Sequence, residues 1–405
     1  MNNLKENKKY IVVHAGKRDD YQVALALHEN NMLSYLITDI YFPLHLKWFS
    51  CFLNKLGMLS KCNKRYNVGL PFNKTIFSFK SLICDLLFHF TKKDFFLFKK
   101  DFFLGQKANK ISKKFNLPIV SMNTYAYDAF YKNEIQPKIL FQFHPQADFV
   151  KQLFVEEMQL NPKSKNTLLQ EYEFSLPELQ LEKLSNEVNL ATHFICASSI
   201  TKKSLASKGI SEDNIKVIPY GVDTTKFTFS ERKQSDVFKV IFIGSLNQRK
   251  GITYLLDALA QMNNVEITIV TRGIYDESLI HNYTFPIHVV IDVPHDKLQE
   301  ELHKANCFVL PSILEGFGQV ILEAMATGIP IIATENTAAI DIVEKGKEGF
   351  VTKIRDVQAI KDNLEILQND FSLVQTMGKA AYEKAKIYTW KKFRTDLVTH
   401  IQSLS

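Results

Sequence analysis

The chain has 405 residues, 46% of them hydrophobic and 23% charged, with a formal net charge of +7. That length exceeds one ordinary core and suits two domains of ~150–200 residues each, and the globular balance of residues excludes the disordered and fibrous classes. No apolar run approaches the ~20 residues of a membrane-spanning helix, and Met1–Lys9 is polar, unlike a secretory leader, so a soluble cytoplasmic chain is expected.

Taken in order, the first strand is expected at Tyr10–His14 and the second at Leu33–Thr38. The stretch from Tyr41 to Phe115 then breaks the pattern. It carries 15 Lys or Arg against 3 Asp, and 14 of the 31 phenylalanines, which leaves the rest of the chain slightly acidic. Three readings fit. The stretch forms amphipathic helices with Phe in the core and Lys in water, or a surface for anionic lipid headgroups. Nucleic acid is the weakest of the three, because stacking aromatics would be expected on sheets with glycine-rich loops. Further strands follow at Pro118–Met122, Lys138–Phe143, His193–Ala197 and Ile215–Ile218. After Pro219–Asp223 and a polar run to Asp236 comes a second series at Phe238–Ile243, Val265–Val270, Ile287–Ile291, Cys307–Leu310, Ile329–Ala333 and Gly349–Val351.

Helical patterns alternate with these strands, as at Tyr254–Met262, Asp296–Lys304 and Val320–Thr327. Near-continuous apolar strands alternating with helices imply an α/β fold of parallel sheets covered on both faces. Two series of about six strands imply two doubly wound domains, at 1–222 and 223–386. A last helix, Tyr388 to Leu404 within a segment at 387–405, packs on its own domain or crosses back to the first. Cys51, Cys62, Cys84, Cys196 and Cys307 form no CxxC pair and are expected to be reduced thiols.

The segment richest in chemistry is Pro311 to Pro330. An apolar strand runs into Glu315-Gly316-Phe317-Gly318 and then a helix beginning near Gln319. The amides of Gly316, Phe317 and Gly318 would open that helix and favour an anion such as a diphosphate. Glu315 and Glu323 lie eight residues apart, so both can border one crevice at a strand's carboxyl end. A carboxylate there accepts hydroxyl donors of a sugar or ribose.

This segment resembles the E-x7-E signature of the family 4 retaining glycosyltransferases, which have the GT-B architecture: two Rossmann-like domains facing across a cleft. The likeness extends over nearly the whole chain and is strongest from Ala197 to Val351. Ala197-Ser-Ser, Ile218-Pro-Tyr-Gly-Val-Asp223 and Phe242-Ile-Gly-Ser-Leu-Asn-Gln-Arg-Lys-Gly251 share it. The resemblance implies an N-terminal acceptor domain and a C-terminal donor domain. The latter would bind a UDP- or GDP-linked sugar with no obligatory cofactor or metal, and the chain lacks any Asp-x-Asp. The sugar, of hexosyl type, would pass with retention to a saccharide or lipid-linked hydroxyl, as in cell-surface polysaccharide or glycolipid assembly. A basic, Phe-rich first domain would then sit peripherally at the inner face of an anionic membrane.

Carried over residue by residue, Lys250 before Gly251 would hold the donor diphosphate, Glu315 the transferred sugar and Glu323 the ribose. Many members place an arginine after the strand's glycine; here Ser245 follows Gly244, and Arg249 is the candidate second cation. Val293, in the loop Asp292–His295, would border the nucleobase, while His295 itself reads equally as a solvent-facing histidine. Gly273 would line the donor pocket. His144, past the strand at Lys138–Phe143, corresponds to a histidine near the anomeric carbon, or else is a structural histidine before Pro145. Gly16, Lys17 and Arg18 follow the first strand and suit an anionic acceptor or the donor phosphate. A dinucleotide oxidoreductase is disfavoured because no GxGxxG follows the first strand of either half, and no P-loop is present. A GT-B epimerase or phosphorylase, and a non-catalytic lipid- or sugar-binding protein, remain alternatives.

Overall fold

The computed structural model describes residues 8–46, 48, 50, 51, 65–273, 275 and 277–404. Its N-terminal half builds one parallel sheet from β1 (Tyr10–Val13), β2 (Leu33–Thr38), β3 (Thr75–Phe77), β4 (Ile119–Met122), β5 (Lys138–Gln142), β6 (His193–Cys196) and β7 (Ile215–Val217). The spatial order is β3-β2-β1-β4-β5-β6-β7. The second sheet takes β8 (Phe238–Ile243), β9 (Val265–Thr271), β10 (Ile287–Ile291), β11 (Cys307–Leu310), β12 (Ile331–Thr334) and β13 (Gly349–Thr352), in the order β10-β9-β8-β11-β12-β13. Strands β1, β4, β11 and β12 are buried at every position, as sheets covered by helices on both faces require. In each sheet the winding reverses beside the first strand, between β1 and β4 and between β8 and β11. Crevices form there at the carboxyl ends of the strands.

The first sheet has a strand that periodicity misses. β3 is three residues long, sits at the edge and is not buried, so it lacks the apolar run by which strands are recognised. The Tyr41–Phe115 stretch corrects a second expectation. Of its residues, 47, 49 and 52–64 lie outside the described set. Helix Phe95–Phe115 buries Leu104, Gly105, Ala108 and Ile111, one stripe at helical spacing. The phenylalanines before that stripe fall largely elsewhere. Phe79 and Phe90, on the neighbouring helix Phe79–Thr91, are each 72% exposed, and Phe95 is 58% exposed. These aromatics are therefore not the core of the first domain.

The last helix, Trp390–Ser403, lies against helix Gln22–Glu29 of the first domain. Arg394 joins Glu29 at 2.8 Å and donates to Gln22 Oε1 at 2.7 Å. Phe393 is buried between Phe141 of β5 and Tyr220 of the connecting segment. Among the described residues no helix is long and apolar enough to cross a membrane.

Candidate functional site

The loops after the strands of both sheets meet in one cleft. Gly316, in the loop after β11, presses on the loop after β5: a Cβ there would lie 2.1 Å from Phe143 O. Its carbonyl accepts from Ser198 Oγ and, at 3.0 Å, from Thr201 Oγ1, both of the first domain. Any residue larger than glycine would push the two loops apart.

On the C-terminal side an open cavity of about 360 Å³ is bordered by Gly244, Ser245, Arg249, Lys250, Val293, Glu315, Gly318 and Glu323. After β8 the chain makes a short turn, Gln248–Lys250, capped by the Asn247 side chain. Gly251 ends it in the left-handed region (φ +66°), where a Cβ would meet Pro311 O at 2.0 Å. The turn is thereby laid against the loop after β11, with Ile313 N donating to Arg249 O at 2.8 Å. Gly244 lies beneath the Lys250 side chain, leaving room for its methylenes.

The consequence is a compact charge cluster. Lys250 Nζ lies 2.6 Å and Arg249 Nη1 2.9 Å from the same oxygen, Glu315 Oε1, which also accepts from Ser312 Oγ at 3.1 Å. Burial alone would raise the Glu315 pKa, but Lys250 and Arg249 outweigh it and hold the carboxyl down at about 2. Lys250 is lowered by burial, against the pull of Glu315, while Arg249 is raised because Glu315 and Glu171 outweigh its burial. Two cations beside one carboxylate can exchange that carboxylate for a more highly charged anion.

Glu323, in the first turn of helix Val320–Ala326, pairs with His295 Nε2 at 2.8 Å. That hydrogen bond raises the His295 pKa above its ordinary value. An NMR titration of the His295 ring should thus show a midpoint above 6.5 that falls toward 6.5 in Glu323→Gln; an unmoved midpoint would show that the pair does not form. The sign sets the pH window: the pair persists below the ordinary histidine pKa and weakens as pH rises through the elevated one.

Other candidate residues are placed less centrally. Gly316 and Phe317 do not border this cavity: Gly316 is at the domain contact, and Phe317 is buried edge-on against Tyr220 at 5.2 Å. Their amides, with that of Gly318, meet no acceptor among the described residues. Gly273 donates its amide to Asp292 at 3.1 Å, and its neighbour Arg272 borders the cavity instead. In the first domain Gly16 is covered by Arg65 and donates to Asp39. Lys17 pairs with Asp20 at 2.9 Å. Arg18 alone of that loop reaches a second open cavity, of about 420 Å³, its guanidinium 3.4 Å from the centre of the Phe143 ring.

His144 borders this second cavity, which adjoins the first through Arg249. Two glutamates that no motif marks complete the centre. Glu171 accepts from Arg249 Nε at 3.1 Å and from Asn247 Nδ2 at 2.8 Å. Glu157, fully buried on helix Ala147–Leu160, accepts from Gln248 Nε2, Tyr254 Oη and Arg355 Nε at 2.7–2.9 Å. The first domain thus grips the turn that carries Lys250. Partners 76–97 residues earlier in sequence leave no local signal of that contact.

Comparison with known proteins gives independent findings. Residues 223–384 match the family model described as glycosyl transferases group 1. The chain is 30% identical over 213 residues to a capsular polysaccharide biosynthesis glycosyltransferase of Staphylococcus aureus, covering 46% of this chain and 55% of that protein. It is 26% identical over 215 residues to a sulfoquinovosyl transferase of Arabidopsis thaliana, covering 50% and 42%. The chain spans about half the length of the curated relatives it matches. Among solved structures, sucrose-phosphate synthase from Thermosynechococcus elongatus superposes with a TM-score of 0.69 at 17% identity, over 98% of this chain and 99% of that one. The Anabaena HepE protein in complex with UDP-glucose gives 0.64 at 16%, over 98% and 100%. These likenesses concern the fold, a GT-B pair of parallel-sheet domains.

Proposed function

We propose that this chain, whose residues 223–384 belong to the glycosyl transferases group 1 family, transfers a hexosyl group from a nucleoside-diphosphate sugar to an acceptor hydroxyl with retention at the anomeric carbon. The observation that carries this reading is the cluster of Lys250, Arg249 and Glu315 on a cavity that Glu323 also borders. A diphosphate of two or three charges outcompetes one carboxylate for the two cations. Glu315, released from them, then accepts hydroxyls of the transferred sugar, and Glu323 accepts those of the ribose. The amide of Gly318, which borders the same cavity where the helix opens, adds a donor for the anion.

In the step itself the bond from C1 to the leaving phosphate oxygen breaks and the acceptor oxygen bonds to C1 on the same face. The acceptor proton passes to the departing phosphate. Charge grows on that phosphate as the bond breaks, so Lys250 and Arg249 stabilise the transition state more than the ground state. Lys250 and Arg249 supply the positive charge that a divalent ion supplies in other transferases, so no metal is required. His144 and Arg18 border the acceptor side. The donor is UDP- or GDP-linked; the UDP-glucose complex of the Anabaena neighbour supports the former.

The role of the Staphylococcus relative in capsular polysaccharide biosynthesis supports a saccharide or lipid-linked acceptor in surface-glycan assembly. The exposed Phe79, Phe90 and Phe95 beside Lys80, Lys92, Lys93 and Lys99 suit a cytoplasmic protein held peripherally on an anionic membrane. Vesicles rich in phosphatidylglycerol should carry the chain to the top of a flotation gradient, with less carried at high salt or after Phe79→Ser and Phe90→Ser. Equal recovery with and without vesicles would favour a soluble acceptor. The reaction is tested by incubation with UDP-glucose, UDP-N-acetylglucosamine and GDP-mannose. Release of nucleoside diphosphate from one of them is the expected result, and none from any would remove the reading.

A further inference from the structure

The cavity beside His144 holds a buried acid that the reaction above does not use. Glu173, on the short helix Tyr172–Ser175, is 2% exposed. Its Oε1 lies 3.1 Å from His144 Nε2, and its Oε2 has no hydrogen-bond partner among the described residues. A buried carboxylate with one unmet oxygen costs stability against a satisfied group. An apolar side chain would serve the packing better, so the contact with His144 is what Glu173 offers in return.

Resting on the transferase reading, we propose that Glu173 is a positioning residue of the reaction centre, holding the His144 ring so that Nδ1 accepts a hydrogen bond from a substrate hydroxyl. A carboxylate accepts, so Nε2 facing it carries the ring proton in the neutral imidazole. Nδ1 then presents its lone pair, and no described residue occupies it. The same short segment carries Glu171, which holds Arg249. Residues 171–173 therefore tie the acceptor-side histidine to the phosphate-side cation across the cleft. A shift of this segment would misplace both partners together.

The test uses the whole chain and nucleoside diphosphate released from whichever of UDP-glucose, UDP-N-acetylglucosamine and GDP-mannose the wild type turns over. Glu173→Ala should lower kcat roughly 10- to 100-fold, the size usual when a residue orienting another is lost, with the donor KM changed less than about twofold. Glu173→Gln, whose amide oxygen can still accept from Nε2, should recover part of the loss. In a His144→Ala background, Glu173→Ala should cost nothing further, since its effect passes through the ring. Additive losses, or a fall in melting temperature that accounts for the loss of kcat, would overturn the proposal while leaving the transferase reading intact. A wild type that releases nothing from any of the three donors would overturn both.

Discussion

Lys250→Ala is expected to weaken nucleoside diphosphate binding about 10- to 100-fold, measured by titration calorimetry with UDP and GDP. A charge-assisted hydrogen bond to a phosphate is worth ~1.5–3 kcal/mol, and each ~1.4 kcal/mol is tenfold in affinity. The loss should exceed that of Arg249→Ala, because Arg249 is also held by Glu171. Lys250 has Glu315 as its one ion-pair partner among the described residues. Lys250→Arg should not restore binding: Gly244 leaves room for a lysine stem, its nearest approach being 3.2 Å from an added Cβ, and a planar guanidinium is bulkier there. Unchanged nucleotide affinity in Lys250→Ala would remove the proposed phosphate contact.

Glu315→Ala should separate binding from turnover. Nucleotide affinity should hold or rise, since Lys250 and Arg249 lose the carboxylate that competes for them. Turnover should fall about 10²- to 10³-fold, the range seen when a group that stabilises the transition state is removed. A parallel loss of nucleotide affinity would mean that Glu315 mainly holds the loop in place. Its acid titration offers a second readout. The folded pKa is depressed from the ordinary 4.5 to about 2, so the ionised form contributes stability in full above pH 4.5. That contribution is lost as pH falls toward 2. The difference in melting temperature between wild type and Glu315→Gln should narrow across that window.

Much of this site is legible in the sequence because its parts are local. Glu315 and Glu323 share one loop-and-helix unit with Gly318, and Lys250 sits next to the glycine that shapes its turn. Strand runs such as Cys307–Leu310 were visible because burial on both faces leaves no polar interruption. The edge strand Thr75–Phe77 and the exposed phenylalanines of helix Phe95–Phe115 were not, since neither obeys the rule that periodicity and apolarity mark the core. Glu157, Glu171 and Glu173 escaped for a different reason. The roles of Glu157 and Glu171 exist only when the two domains close on each other, and Glu173 meets His144 through the fold of the first domain; no spacing within the chain records either contact. The loop Gly16–Arg18 shows the converse: its glycine and cations suggest a ligand, yet local partners Asp39 and Asp20 engage two of its three residues.

The most direct test is diffraction from crystals grown with the nucleotide-sugar that the chain binds. The account predicts diphosphate density within about 3.2 Å of Lys250 Nζ, with the sugar beside Glu315 and the ribose beside Glu323. Density for the ligand in any other part of the molecule, with Lys250 and Arg249 still paired to Glu315, would contradict it.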